Sequence, residues 1–185
     1  MVVFAAAFFI FACTLFWAIP PTYLSADAAA AGIAVISSFG IFGGFVSPTL
    51  IGTLIDSVNG YQKAAADTEN ARFAELFNAR AQERQTAVTK LQAVVARLGG
   101  NPEDDGTTAG AIHRGWINLK EAVVGRDDEA IVNSVESGED YLKEKFEAAL
   151  KHKDLPVEAR AAVEEAYTSV RAGHDQMSQL KHAIN

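Results

Sequence analysis

The stretch "SPTLIGTLIDSVNGYQ", residues 47–62, lies where an uncharged, Gly-rich apolar segment becomes an amphipathic one. The first 55 residues carry one charged side chain, Asp27, whereas all 16 Lys and Arg come later. A chain of 185 residues favours one domain by length, but this asymmetry favours two regions. We predict a first region at 1–52 and a second at 53–185. An apolar helix fits the end of the first region and the start of the second. We therefore expect one helix to run through the boundary, with Gly52 as its weakest point.

Two apolar runs make up the first region. The run "MVVFAAAFFIFACTLFWAIPPTYL" has more than 18 uncharged residues, enough to cross a hydrocarbon core of about 30 Å. The run "AAAAGIAVISSFGIFGGFVSPTLIGTLI" is also long enough, and small residues would let another helix approach it closely. These small residues are Gly32, Gly40, Gly43 and Gly44. A transmembrane helical hairpin is predicted, with a cleaved signal peptide or a buried helix of a soluble protein as alternatives.

Apolar residues recur at helical spacing through the second region. The stripes cover 54–65, 71–98, 107–149 with a break at Gly125, and 156–184. Short polar loops such as "GGNPEDDGT" separate them. Four amphipathic helices with short loops predict an all-α fold, an antiparallel four-helix bundle.

Charged and polar side chains interrupt the inward faces of these helices. The candidate buried polar layer comprises Tyr61, Arg80, Glu83, Arg84, Glu139, Tyr167 and His174. Buried charges must be paired, so a hydrogen-bonded layer that fixes helix register is favoured. An unusual metal site and catalysis are the alternatives, although the Glu-x-x-His spacing of di-iron bundles does not occur in the sequence.

Other signals limit the function classes. His113 and Trp116, one helical turn apart, form either a surface motif or core packing. The single Cys13 cannot form a disulfide within the chain, and the net charge of -7 disfavours nucleic acid as a partner. The sequence contains no Ser/His/Asp elbow, P-loop or dinucleotide fingerprint, so we predict a non-enzyme without a cofactor or a bound metal.

The first region resembles a known transporter family. "FWAIPPTYLSADAAAAGIAVISSFGIFGGFVSPTLIG" is similar to the tenth and eleventh transmembrane helices of major facilitator superfamily transporters of the anion:cation symporter type. That resemblance implies twelve helices in two halves with the substrate between them. Only two of those helices are recognisable in the sequence, so transport by this chain alone is not expected.

The second region resembles another family. "HRGWINLK" followed by "GRDD", "GED" and "AGHDQM" is similar to DUF2383, or PA2169-type, four-helix-bundle proteins of bacteria. The resemblance covers residues 53–185 and implies a ferritin-like bundle. The biochemical role of that family is not established, so the resemblance bears on fold more than on function.

Together these patterns predict a membrane-anchored, non-catalytic bundle in the bacterial inner membrane. It would contact the lipid bilayer and act through self-association or a membrane-protein partner. The basic residues after the second run favour a cytoplasmic bundle, whereas the transporter resemblance places both chain ends outside. Alternatives are a transporter fragment that packs against transporter subunits, a metal-binding ferritin-like oxidase or storage protein, and an accidental or artificial fusion.

Overall fold

A computed structural model of the protein describes residues 18–41, 48–106 and 127–184. Within these ranges every regular element is helical, which confirms the all-α prediction. The helices are α1 (Pro20–Tyr23), α2 (Ala26–Ile41), α3 (Gly52–Asp67), α4 (Ala71–Arg97), α5 (Asp128–Leu150) and α6 (Val157–Ile184).

The four long helices α3 to α6 pack as a bundle in which α3 contacts α4 and α5, and α6 contacts the same two. Cross-helix contacts give the directions. Lys90 pairs with Glu165 at 2.5 Å, and Arg97, further along α4, pairs with Glu158, earlier in α6. Helices α4 and α6 therefore run antiparallel. The helical bundle predicted from the apolar stripes is confirmed for the described helices.

Helix α4 begins and ends where its sequence favours a boundary. The Asn70 side chain accepts a hydrogen bond from the Arg72 backbone N–H at 3.1 Å, which satisfies one of the free donors of the first turn. Gly99, with a φ of 80°, follows the last turn in the left-handed conformation that glycine adopts at low cost. The helix therefore closely matches the predicted 71–98.

A level of polar or small residues separates two apolar clusters along the bundle. From α4, the larger cluster contains buried residues between Ala87 and Val95, and the smaller cluster contains Phe77 and Ala81. Between them, each helix supplies a buried residue that is not a large apolar one. These are Ser57, Arg84, Glu139 and Gly173. We call this level the polar layer.

The helix passes through the predicted boundary without a break. Residues 48–51 form a π-helical turn that leads directly into Gly52, and Ile51 has helical dihedral angles of φ -67° and ψ -45°. Leu50 and Ile51 are each 1% exposed and lie in the larger apolar cluster. Side chains that the sequence assigned to the first region thus help to form the core of the bundle.

The predicted transmembrane hairpin is wrong. Across residues 18–41, 48–106 and 127–184, no helix has both the length and the apolar character needed to cross a membrane. The end of the second apolar run contains Leu50, Ile51 and Leu54, and the structure buries these in the bundle core instead. The inner-membrane location and its cytoplasmic bundle rested on the hairpin and are corrected with it. Most of the first run, residues 1–17, lies outside the described residues.

The glycines proposed for helix packing show no close contact where they are described. A Cβ atom built on Gly32 would have its nearest neighbour, Leu24 Cδ1, at 3.8 Å, and one on Gly40 would meet nothing within 4 Å. Gly43 and Gly44 lie outside the described residues.

Candidate functional site

The centre of the polar layer is a fully buried ion pair between α4 and α5. Arg84 Nη2 donates to Glu139 Oε2 at 2.7 Å, and both side chains are 0% exposed. Gly173 of α6 makes room for the pair, since a Cβ atom there would lie 2.3 Å from Nη2 and 2.9 Å from Oε2. Three helices therefore meet at one charged contact, and a buried charge of either sign is costly without its partner.

A chain of hydrogen bonds connects this pair to the surface. Arg84 Nη1 donates to Ser169 Oγ at 2.7 Å, and Ser169 Oγ donates to Glu83 Oε1 at 2.6 Å. Arg80 Nη1 donates to Glu83 Oε2 at 2.6 Å, and its Nε donates to Gln176 Oε1 at 2.7 Å. With the buried pair, the chain contains two arginines and two glutamates, so its formal charges cancel. We call these six side chains the buried network.

Tyr61 borders the buried network as a neutral phenol. It is fully buried and packs against Phe77 with ring centroids 6.1 Å apart. Burial, and then the negative charge of Glu139, raise the pKa of Tyr61 well above its ordinary range, while Arg84 lowers it. The charged phenolate is thus disfavoured at this position.

Two of the predicted layer residues lie elsewhere. Tyr167 stacks on Phe146, with ring centroids 6.3 Å apart, and its hydroxyl donates to Glu147 Oε1 at 2.7 Å. His174 lies between two surface carboxylates, those of Asp140 and Asp175. Both residues are at the edge of the apolar stripe of α6, where a helical pattern does not decide whether a long side chain turns inward or outward.

Two members of the buried network were missed from sequence, Ser169 and Gln176. Together with Gly173 they have the spacing i, i+4 and i+7, which places them on one face of α6. That spacing was the available signal. Small and uncharged residues are common on any helix face, however, so they do not by themselves indicate a buried polar layer.

The remaining candidates add no site to the described structure. His113 and Trp116 lie outside the described residues. Across the three described ranges, no group of three or more His, Cys, Asp or Glu side chains is arranged to hold a metal ion. The buried network is therefore the main polar feature of the described bundle interior, and its members bond to one another except at Arg84 Nε and Glu139 Oε1, which are buried without a hydrogen-bond partner.

Replacing Ser169 by alanine is expected to lower the free energy of unfolding by about 1–2 kcal/mol, because Arg84 Nη1 and Glu83 Oε1 both lose a partner. Urea denaturation followed by circular dichroism measures the loss. Ser137→Ala is the matched control, since that exposed hydroxyl bonds only to the Asn133 carbonyl in its own helix. Equal losses in the two variants would contradict the role assigned to Ser169.

The fold and the network define an all-helical bundle protein with a neutralised polar layer in its core. A family model described as a domain of unknown function (DUF2383) matches residues 48–152. This is more than half of the chain, and the chain belongs to that family. The matched range starts before α3 and ends before α6, so the helix that supplies Ser169 and Gly173 lies beyond it.

A second similarity covers a short stretch only. Two putative tartrate transporters of Agrobacterium vitis are each 49% identical to the chain over 45 residues, or 24% of this chain. The chain spans about a tenth of the length of these curated relatives, since the match covers 10% of each. The finer assignments, to anion:cation symporters and to ferritin-like bundles, stay predictions.

Proposed function

We propose that this protein is a non-catalytic helical bundle that acts by associating with further copies of itself through the outer faces of its helices. The observation that carries the proposal is an exposed apolar surface on the segment with α1 and α2. Ile19 is 53% exposed, Tyr23 85%, and Val35 54%, and Leu24 and Ile36 are exposed as well. Five of the six large apolar side chains that are exposed among the described residues lie in this segment, and large exposed apolar patches mark interaction sites.

The interior of the bundle supports the non-catalytic part of the proposal. In the buried network, each arginine donates to a glutamate and the charges cancel. Groups that act on a substrate need donors or acceptors directed at the reacting atoms. Here Arg84 Nη1 and Nη2 donate to Ser169 and Glu139, which suits a structural role, whereas Ser57 Oγ, Arg84 Nε and Glu139 Oε1 are buried without a hydrogen-bond partner within the described helices.

Sedimentation over a wide range of protein concentration tests the association. The wild-type chain is expected to increase in mass with concentration, and Val35→Glu is expected to weaken the association about tenfold, because a carboxylate replaces an apolar contact. Val157→Glu is the matched control, since Val157 is 86% exposed but lies at the start of α6. A chain that stays monomeric throughout, or equal weakening by both variants, would count against the proposal.

A further inference from the structure

Both ring nitrogens of His174 contact a carboxylate, one in the neighbouring helix and one in its own. Nε2 lies 2.9 Å from Asp140 Oδ1 of α5, and Nδ1 lies 3.0 Å from Asp175 Oδ1 of α6. The His174 side chain is only 16% exposed, whereas the two aspartates are 56% and 60% exposed. The imidazole therefore sits in the helix interface with one carboxylate at each end.

Only one protonation state of the ring suits both contacts. A carboxylate accepts hydrogen bonds and cannot donate, and a neutral imidazole has one N–H and one lone pair. The neutral ring would satisfy one aspartate and direct its lone pair at the other. The imidazolium form donates to both, and its positive charge is attracted to both carboxylates.

The position of the bridge connects it to the core. His174 directly follows Gly173, the residue packed on the Arg84–Glu139 pair. Four residues past Gly173, Met177 enters the smaller apolar cluster, against which Leu180 and Ile184 also pack. A contact that fixes this turn to α5 thus holds the second half of α6 in place.

We propose that His174 is a pH-dependent clamp, which in its imidazolium form fastens the second half of α6 to α5 through Asp140 while Asp175 of α6 holds the ring in place. This inference does not depend on the proposed self-association.

The charged groups around the bridge leave its two carboxylates available to the imidazolium. Arg171 and Lys143 act on Asp175 at longer range than His174, whose hydrogen bond is the main cause of the lowered pKa of Asp175. Lys181 bonds to Glu136 at 2.8 Å, and Asp140 acts on it only through its charge. On the α4 side, Arg80 and Arg84 are engaged with Glu83 and Glu139.

The sign of the pH dependence follows from the protonation states of His174 and Asp175. The imidazolium can donate both hydrogen bonds and the neutral ring only one, so the stability that they add is greater at low pH and decreases as the ring loses its proton. The lowered pKa of Asp175 adds stability that is lost only as pH falls through the acid range. The clamp is therefore weakened at higher pH as the imidazole loses its proton, and at low pH as Asp175 gains one.

Urea denaturation of the full chain at about pH 5.5 and pH 8, on either side of the imidazole range, tests the clamp. His174→Gln is expected to raise the unfolding equilibrium constant about fivefold at the lower pH, and by much less at the higher pH. A glutamine amide cannot donate to both aspartates in the geometry of the ring. His182→Gln is the matched control, because that exposed ring bonds to the Ser178 carbonyl of its own helix.

Asp140→Asn provides a second test. The asparagine amide can donate to the lone pair of a neutral His174 while Nδ1–H donates to Asp175, so its stability is expected to change less between the two pH values than that of the wild type. An effect of His174→Gln that is equal at both pH values, or one shared by His182→Gln, would overturn the clamp. So would an Asp140→Asn variant with an unchanged pH dependence.

Discussion

Replacing Arg84 by methionine is expected to lower the free energy of unfolding by about 3–5 kcal/mol, the largest effect of any single substitution proposed for this bundle. Methionine fills much of the arginine volume but leaves Glu139 without its cation in a site that is 0% exposed. It also removes the donor to Ser169. Urea denaturation at neutral pH, followed by circular dichroism, measures the difference.

The double variant Arg84→Met with Glu139→Leu separates charge from packing. Removing both partners leaves no unpaired buried charge, and apolar replacements of buried ion pairs are often neutral or stabilising. We expect the double variant to regain most of the stability lost in Arg84→Met. A double variant as unstable as the single one would contradict this account. Arg72→Met, an exposed substitution in the first turn of α4, should change stability by no more than about 0.5 kcal/mol.

If the ion pair adds little net stability, we expect its main effect to be on how the four helices are aligned along the bundle. Apolar clusters on both sides of the polar layer tolerate sliding, because one aliphatic side chain packs nearly as well as another. The polar layer, in contrast, does not tolerate the sliding of one helix along another. A shift of α6 by one turn would bring Val170 or Met177 against Arg84 in place of Gly173, and would separate Ser169 from Glu83. We therefore expect the layer to favour one register of the four helices, the role in which buried polar groups are best supported.

The sequence predicted those features of the fold that depend on residues close together along the chain. The end of α4 follows from Gly99 as a stop, a signal that acts within one turn, whereas the cap at its start is Asn70 and not the Asp67 or Thr68 that the sequence suggested. The inward position of Arg84 follows from helical periodicity. In both cases the relevant neighbours are only a few residues away along the chain.

Prediction failed where the outcome depended on partners that are distant in sequence. Periodicity could not show that Tyr167 would pack at the edge of the larger apolar cluster and bond to Glu147 while Ser169 joined the buried network, because both lie near the edge of one stripe. The membrane error has a related cause. An apolar run is equally suited to lipid and to a protein core, and only the fold shows that Leu50 and Leu54 are buried against other helices.

Replacing Gly173 by alanine is expected to destabilise the bundle by roughly 1–3 kcal/mol through overpacking. The added methyl group would lie 2.3 Å from Arg84 Nη2 and 2.9 Å from Glu139 Oε2, closer than real contacts allow. The arginine cannot move aside without lengthening its bonds to Glu139 and Ser169, since the side chain is completely buried. Urea denaturation again gives the change in unfolding free energy.

Intrinsic helix propensity predicts the opposite sign, which makes this substitution informative. Alanine is favoured over glycine inside a helix by about 1 kcal/mol, and Ala172→Gly on the exposed side of the same turn measures that preference directly. A destabilised Gly173→Ala alongside a destabilised Ala172→Gly can only reflect the close approach of α6 to the ion pair. In the Arg84→Met background, where the guanidinium is absent, Gly173→Ala should cost much less. A cost that stays the same in that background would show that contacts other than Arg84 require the glycine.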